Sequence, residues 1–163
     1  MSTARQRVIA VEGRSGALAP VCARLDHAGY RCTRAAADVA LRRLDGNEAD
    51  LFLVDGSDAA AGWEGLVSEV HRRRAEGVFV PVIVFTPPGD VEARIHCLRL
   101  GADECIPIGT AEEETLARIE ALLRIKSIQD RMERSRQELQ RLSTVDGLTG
   151  LSSRRHLQAR CRE

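Results

Sequence analysis

Short runs of apolar residues alternate along this chain with stretches that have the period of a helix. The strand candidates span residues 8–11, 30–33, 51–54, 80–85 and 105–108. The third and fourth runs are continuously apolar, as parallel strands are when helices cover both faces of their sheet. The pattern predicts a parallel sheet buried between helices.

Helical periodicity fills the gaps between these strands. The helix candidates span residues 18–25, 35–44, 63–75 and 91–100. Gly29 and Gly101 are placed to end the first and the fourth helix, since glycine readily takes the left-handed conformation that closes helices. This (βα)5 alternation predicts the α/β class, with a doubly wound, flavodoxin-like parallel sheet whose reactive groups gather at the carboxyl ends of the strands.

A fifth helix is predicted from residue 111 to residue 145, a stretch without glycine or proline. At 1.5 Å per residue it would be about 50 Å long, so we expect it to leave the globular body. Its apolar seam, with Ser135 as the polar position, consists of Ile125, Ile128, Met132, Leu139 and Leu142. Alternate spacings of three and four predict a parallel coiled-coil homodimer. The alternative is a single amphipathic helix lying on its own domain.

Composition narrows the classes of protein to consider. A chain of 163 residues has room for one well-cored domain and an appendage. Its 24 basic and 24 acidic side chains balance, so we expect no nucleic-acid partner. The basic runs at residues 71–74 and 154–162 are interpreted as solvated helix faces. No apolar run approaches the roughly 20 residues of a membrane span, and no export signal is evident, so a cytoplasmic location without membrane contact is predicted.

The five cysteines show no spacing typical of a metal site. They are Cys22, Cys32, Cys97, Cys105 and Cys161. Most lie among apolar neighbours, and none forms a CxxC or Cys/His pattern, so we interpret them as reduced core residues.

Three strand-end motifs resemble the response-regulator receiver family over about residues 7–124. Asp55 ends the run Leu-Phe-Leu-Val-Asp, Thr86 ends Val-Ile-Val-Phe-Thr, and residues 101–104 match the Gly-Ala-Asp-Asp that precedes the last receiver strand. The resemblance implies a CheY-like fold, with Asp55 as phosphoacceptor, Glu12 in the acid pocket and Thr86 as the switch hydroxyl.

Two departures from the family pattern weaken this implied chemistry. Gly13 stands where the family has the second acid of a magnesium site, and Ile108 stands where it has the lysine that neutralises the phosphoryl group. Phosphoryl transfer depends on such cations. We therefore expect a degenerate receiver that is phosphorylated weakly or not at all. No cofactor is expected, and Mg²⁺ is the one candidate that the resemblance offers.

The last residues resemble the opening of GGDEF diguanylate cyclase domains, Asp-x-Leu-Thr-Gly-Leu-x-Asn-Arg-Arg. The matching residues are Asp146, Leu148, Thr149, Gly150, Leu151, Arg154 and Arg155, and Ser153 replaces the asparagine. The implied organisation is a receiver-like domain at 1–124, a signalling helix at 125–145 and the start of a GGDEF domain at 146–163. Because the sequence stops before the catalytic loop, we expect this polypeptide not to be an enzyme, although its parent protein would make cyclic di-GMP.

These resemblances imply a regulatory and dimerisation module. Its partners would be a second copy, the GGDEF domain that follows, and a sensor histidine kinase or another signalling protein. One alternative is a stand-alone degenerate receiver that acts as a protein–protein adaptor. Another is a small flavodoxin-like enzyme that binds flavin or phosphate at residues 13–16.

Overall fold

The computed structural model describes residues 5–58 and 62–144, with side chains up to residue 141. Strands and helices alternate throughout this part of the chain. The strands are β1 Arg7–Val11, β2 Arg31–Ala35, β3 Leu51–Asp55, β4 Val82–Thr86 and β5 Glu104–Pro107. The helices are α1 Ala19–His27, α2 Ala37–Asp45, α3 Trp63–Arg73, α4 Val91–Leu100 and α5 Glu112–Thr144, and a 3₁₀ turn, Arg74–Glu76, follows α3.

The five strands form one parallel sheet in the order β2-β1-β3-β4-β5. The order reverses between β1 and β3, which is the switch point of a doubly wound sheet and the usual place for a site. The predicted fold class and the long C-terminal helix are therefore confirmed.

Hydrophobic layers cover both faces of the sheet. Every residue of β3 and β4 is buried, which explains why these strands are continuously apolar in sequence. On one face, Phe52 and Val54 pack in the cluster that includes Trp63 and Leu66 of α3. On the other, Leu51, Leu53, Leu18, Leu25, Ile119 and Leu123 share a second cluster. The amino-terminal part of α5 is thus part of the core of this domain.

The structure corrects several predicted boundaries by one or two residues. The second helix was predicted from Ala35, but this residue ends β2 and pairs with Val11, so α2 begins at Ala37. The fourth strand was predicted from Val80, but it begins at Val82 because Pro81 has no N–H to donate and contributes only its carbonyl, to Phe52. The α-helical part of α3 ends at Arg73.

Gly101 and Asp103, two of the residues that carried the family resemblance, stabilise the connection from α4 to β5. The Asp103 carboxylate accepts a hydrogen bond from the backbone N–H of Val82 at 2.7 Å and one from Arg74. Gly101 closes α4 with φ of +107°. These interactions join the start of β5 to the start of β4.

Contacts divide the chain into two units, Met1–Lys126 and Ser127–Glu163. Four side chains of the predicted seam are substantially exposed in α5: Ile125 by 44%, Ile128 by 49%, Met132 by 65% and Leu139 by 69%. The side chain of Leu142 lies outside the described residues, and the coiled-coil dimer stays a prediction. In the described part of the chain, no helix is long and apolar enough to cross a membrane.

Gly101→Ala should destabilise the domain more than Gly109→Ala. Both glycines have positive φ, which costs alanine about 1–2 kcal/mol. Only at Gly101 would the new Cβ also lie 2.4 Å from the His71 ring, adding roughly 1–3 kcal/mol for overpacking. Chemical denaturation would measure both unfolding free energies. Equal losses at the two positions would contradict the packing argument.

Candidate functional site at the carboxyl end of the sheet

Asp55 ends β3, the central strand, and occupies the carboxyl edge of the sheet. It is paired in register with Phe85 of β4, and the whole residue is buried. A carboxylate removed from water in this way must be hydrogen-bonded or neutralised. The groups around Asp55 therefore determine what it can do.

Two serine hydroxyls hold the carboxylate of Asp55. The Ser15 hydroxyl donates to Oδ2, while the Ser57 hydroxyl and backbone N–H donate to Oδ1 at 2.5 and 3.0 Å. Burial alone would raise the pKa of Asp55. Hydrogen bonds from Ser15, Ser57 and the backbone N–H of Gly13 outweigh burial and lower this pKa below its ordinary value. Asp55 is thus an ionised carboxylate whose two oxygens are both engaged.

The space beside Gly13 is filled by Asp58, from the loop after β3. A Cβ on Gly13 would lie 2.6 Å from the Asp58 Cβ and 3.3 Å from Asp55 Oδ2. One carboxylate oxygen of Asp58 accepts from the backbone N–H of Arg14 at 3.1 Å. The glycine that replaces the family's second acid is therefore required here by the close approach of another aspartate.

Glu12, the remaining member of the acid pair, is engaged by a cation from β2. Its Oε2 lies 3.4 Å from Arg34 Nη1, while its Oε1 is buried without a hydrogen-bond partner. The salt bridge partly neutralises the negative charge of Glu12 that a metal ion would need.

Thr86 and Ile108 complete the carboxyl edge. The Thr86 hydroxyl is buried without a hydrogen-bond partner, and the Thr86 carbonyl accepts from the N–H of Ile108 at 2.8 Å. The Ile108 side chain packs against the cluster of α1 and α5 and lines an apolar cavity of about 360 Å³ between them. The sequence thus places a packing residue where the family carries an ammonium group.

These residues do not fit the Mg²⁺ ion that the fold family implies. Both oxygens of Asp55 are already hydrogen-bonded, Glu12 is paired with Arg34, and Gly13 contributes no side chain. Within residues 5–58 and 62–144, no group of three or more His, Cys, Asp or Glu side chains is arranged to hold a metal. Hard cations require several free oxygen ligands.

The structure brings Gly13 and Asp55 together, as the strand-end argument required, and adds residues that sequence reasoning missed. Ser57 and Asp58 had no assigned role, and Ser15 was considered only within the candidate phosphate- or flavin-binding segment at residues 13–16. Ser57 could have been suspected, because a serine two residues after an aspartate can close a local hydrogen-bonded turn. Ser15 and Asp58 are joined only through the folded loops. The GGDEF-like residues, from Asp146 to Arg155, lie outside the described part of the chain.

Comparison with known sequences places this site in context. No family model matches the chain. It is 31% identical over 121 residues to the phosphate regulon transcriptional regulatory protein PhoB of Klebsiella pneumoniae, an alignment that covers 73% of this chain and 52% of PhoB. PhoB of Escherichia coli is 30% identical over the same length. The chain therefore spans about half the length of the relatives it matches.

Solved receiver structures have the same fold. A CheY-like response regulator receiver domain protein from Methanospirillum hungatei superposes with a TM-score of 0.63 at 21% identity, covering 76% of this chain and 98% of its own. The receiver domain of the TMAO respiratory system response regulator TorR gives 0.60 at 24% identity, covering 72% and 96%. The chain therefore has a CheY-like receiver fold, with a buried aspartate at the end of its central strand.

Gly13→Ala should destabilise the domain by roughly 1–3 kcal/mol, because the added methyl group would overlap Asp58. Gly13 lacks a positive φ, so backbone strain adds nothing. In an Asp58→Gly background the same substitution should cost much less, giving a measurable coupling in a double-mutant cycle. Equal costs in both backgrounds would show that Asp58 does not occupy this space.

Proposed function

We propose that this chain is the regulatory and dimerising receiver module of a diguanylate cyclase response regulator, and that it works without phosphorylation of Asp55. The observation that carries the second part is the engagement of both Asp55 oxygens by Ser15 and Ser57. A cytoplasmic location accords with this role.

A phosphorylatable aspartate must present one oxygen to the incoming phosphorus atom. Here an oxygen can become free only if a serine hydroxyl leaves a buried carboxylate, and such charge-assisted hydrogen bonds are among the stronger ones. The phosphorylated product would add negative charge beside Asp58, with Ile108 where an ammonium would stabilise it. The site therefore favours retention of a free, ionised Asp55.

The exposed seam supports assembly of two copies through α5. Ile128, Met132 and Leu139 recur at coiled-coil spacing and are about half or more exposed. Burial of such side chains against a second copy is a favourable term of roughly 25 cal/mol per Å² of apolar surface. A parallel dimer would set the spacing of the domains that follow α5.

The cyclase part of the proposal rests on the motif Asp-Gly-Leu-Thr-Gly-Leu at residues 146–151. PhoB, by its name, is a transcriptional regulatory protein, and this chain spans only half of it. The gene downstream of the codon for Glu163 distinguishes the candidates. A GGDEF reading frame supports the cyclase module, whereas an immediate stop codon would leave the stand-alone adaptor. A phosphate-binding enzyme is disfavoured because the N–H group of Arg14 already donates to the carboxylate of Asp58.

Acetyl phosphate with Mg²⁺ should leave the intact mass of the protein unchanged. The matched comparison combines Gly13→Asp, Asp58→Gly and Ile108→Lys, which returns the acid pair and the ammonium; we expect it to gain an acid-stable, base-labile phosphoryl group. Asp55→Asn in that background should abolish the gain. Asp55-dependent phosphorylation of the wild-type chain would contradict phosphorylation-independent function.

Met132→Lys combined with Leu139→Lys should raise the dissociation constant of the proposed dimer at least tenfold. The reason is that two ammonium groups per helix would have to be buried in the seam. The control combines Gln137→Lys with Gln140→Lys, which adds the same charge at exposed positions of α5 outside the seam. Sedimentation equilibrium would compare the three proteins. Equal association of all three, or a monomeric wild type, would refute the seam.

A further inference from the structure

A cavity lined by arginines lies at the amino end of the sheet, the opposite edge from Asp55. Its volume is about 360 Å³, and its lining consists of Arg7, Arg31, Thr33, Arg43 and Glu48. Arg7 and Arg31 are register partners in β1 and β2, and Thr33 follows Arg31 by two residues, on the same face of the strand. Arg43 reaches this face from α2. Three arginine residues therefore line one volume.

Two of the three arginine side chains, Arg7 and Arg43, are held in position by hydrogen bonds within the protein. The backbone N–H and Nε of Arg7 both donate to Asp50 Oδ2, at 2.7 and 3.3 Å, and its Nη2 donates to the Asn47 carbonyl at 2.8 Å. Nη1 of Arg43 donates to the Thr33 hydroxyl oxygen at 2.9 Å. An anion entering the cavity would meet two arginines that are already oriented, which reduces the entropic cost of binding.

The positive charge at this cavity is only partly compensated. Asp50 serves Arg7, but within the described residues neither Arg31 nor Arg43 has a carboxylate within 4.0 Å, and Glu48 pairs with neither. Arg7 and Arg31 are register partners on neighbouring parallel strands and carry like charges, which repel each other. A bound anion would offset this repulsion, and arginine forks match the oxygens of phosphate.

We infer that this cavity is a binding site for a phosphate-bearing small molecule of mononucleotide size. Arg31 and Arg43 donate to the phosphoryl oxygens, with Arg7 contributing its charge from β1. The Thr33 oxygen accepts from Arg43, so its own O–H is available to a third phosphoryl oxygen. The volume lies at the lower end of the range for small-molecule sites, which fits a phosphate with one attached ring system.

The site is independent of the phosphorylation chemistry considered for Asp55. Its residues come from the amino ends of β1 and β2 and from α2 with the loop after it, whereas Asp55 lies at the carboxyl end of β3. Loss of binding here would therefore leave the proposed function at Asp55 untouched, and the reverse also holds.

The test is an NMR titration of the full chain with sodium phosphate and with AMP, at constant ionic strength maintained with chloride. We expect saturable shifts of the Arg31, Thr33 and Arg43 backbone amides and of the Arg43 Nε signal. Arg31→Gln with Arg43→Gln should weaken binding at least tenfold. Thr33→Val, which removes the hydroxyl while keeping the shape, should weaken it several-fold.

Arg42→Gln is the matched control, because Arg42 neighbours Arg43 in α2 but pairs with Asp38 at 3.0 Å and does not line the cavity. This variant should bind as the wild type does. Chemical shifts that change linearly without saturation would overturn the site. Binding weakened as much by Arg42→Gln as by Arg31→Gln with Arg43→Gln would do so too, and would indicate general screening of surface arginines. Saturation by phosphate but no tighter binding of AMP would overturn the mononucleotide assignment. Dispersed amide spectra of every variant would establish that folding is intact.

Discussion

A carboxylate buried at the end of the central strand has to be fully hydrogen-bonded, and the loops at this edge of the sheet are arranged around that requirement. Ser57 follows Asp55 in the same turn, Ser15 comes from the loop after β1, and the backbone of Gly13 supplies a further donor. Asp58 can then enter only because Gly13 has no side chain. One electrostatic constraint thus explains why the loop after β1 carries Gly13 and Ser15 and the loop after β3 carries Ser57.

Under the proposed function, the same constraint distinguishes this carboxyl edge from one built for phosphoryl transfer. In a transfer site, a metal ion and an ammonium group neutralise the acids, and their charge remains available to the phosphoryl oxygens. Here hydroxyl and amide dipoles satisfy Asp55, and Glu12 is served by Arg34. Dipoles stabilise a single carboxylate well, but they do not compensate the additional charge of an acyl phosphate.

The spacing of apolar residues was sufficient to predict the fold, because β3 and β4 are buried on both faces and the helices carry one apolar face each. The predicted ends of helices and strands were wrong where strand pairing decided them, as at Ala35, or where a backbone N–H donor is missing, as at Pro81. In the site, the positions of Asp55 and Thr86 followed from strand ends. The roles of Ser15 and Asp58 did not, since loop conformation brings them to Asp55 and Gly13. Cysteine spacing likewise gave no sign that Cys22 contacts Cys32 and Cys97 contacts Cys105.

If Asp55 stays unmodified, as proposed, the protein can still transmit a signal, provided that two of its states bind some partner or ligand with different affinity. The apolar seam of α5 offers assembly as one such coupling, and the arginine cavity at the amino edge offers ligand binding as another. The cavity is framed by α2, whose Arg43 reaches across to Thr33 of the edge strand. A ligand held there would tie α2 to β2. Its influence would be exerted through helix packing, with no need for charge to change at Asp55.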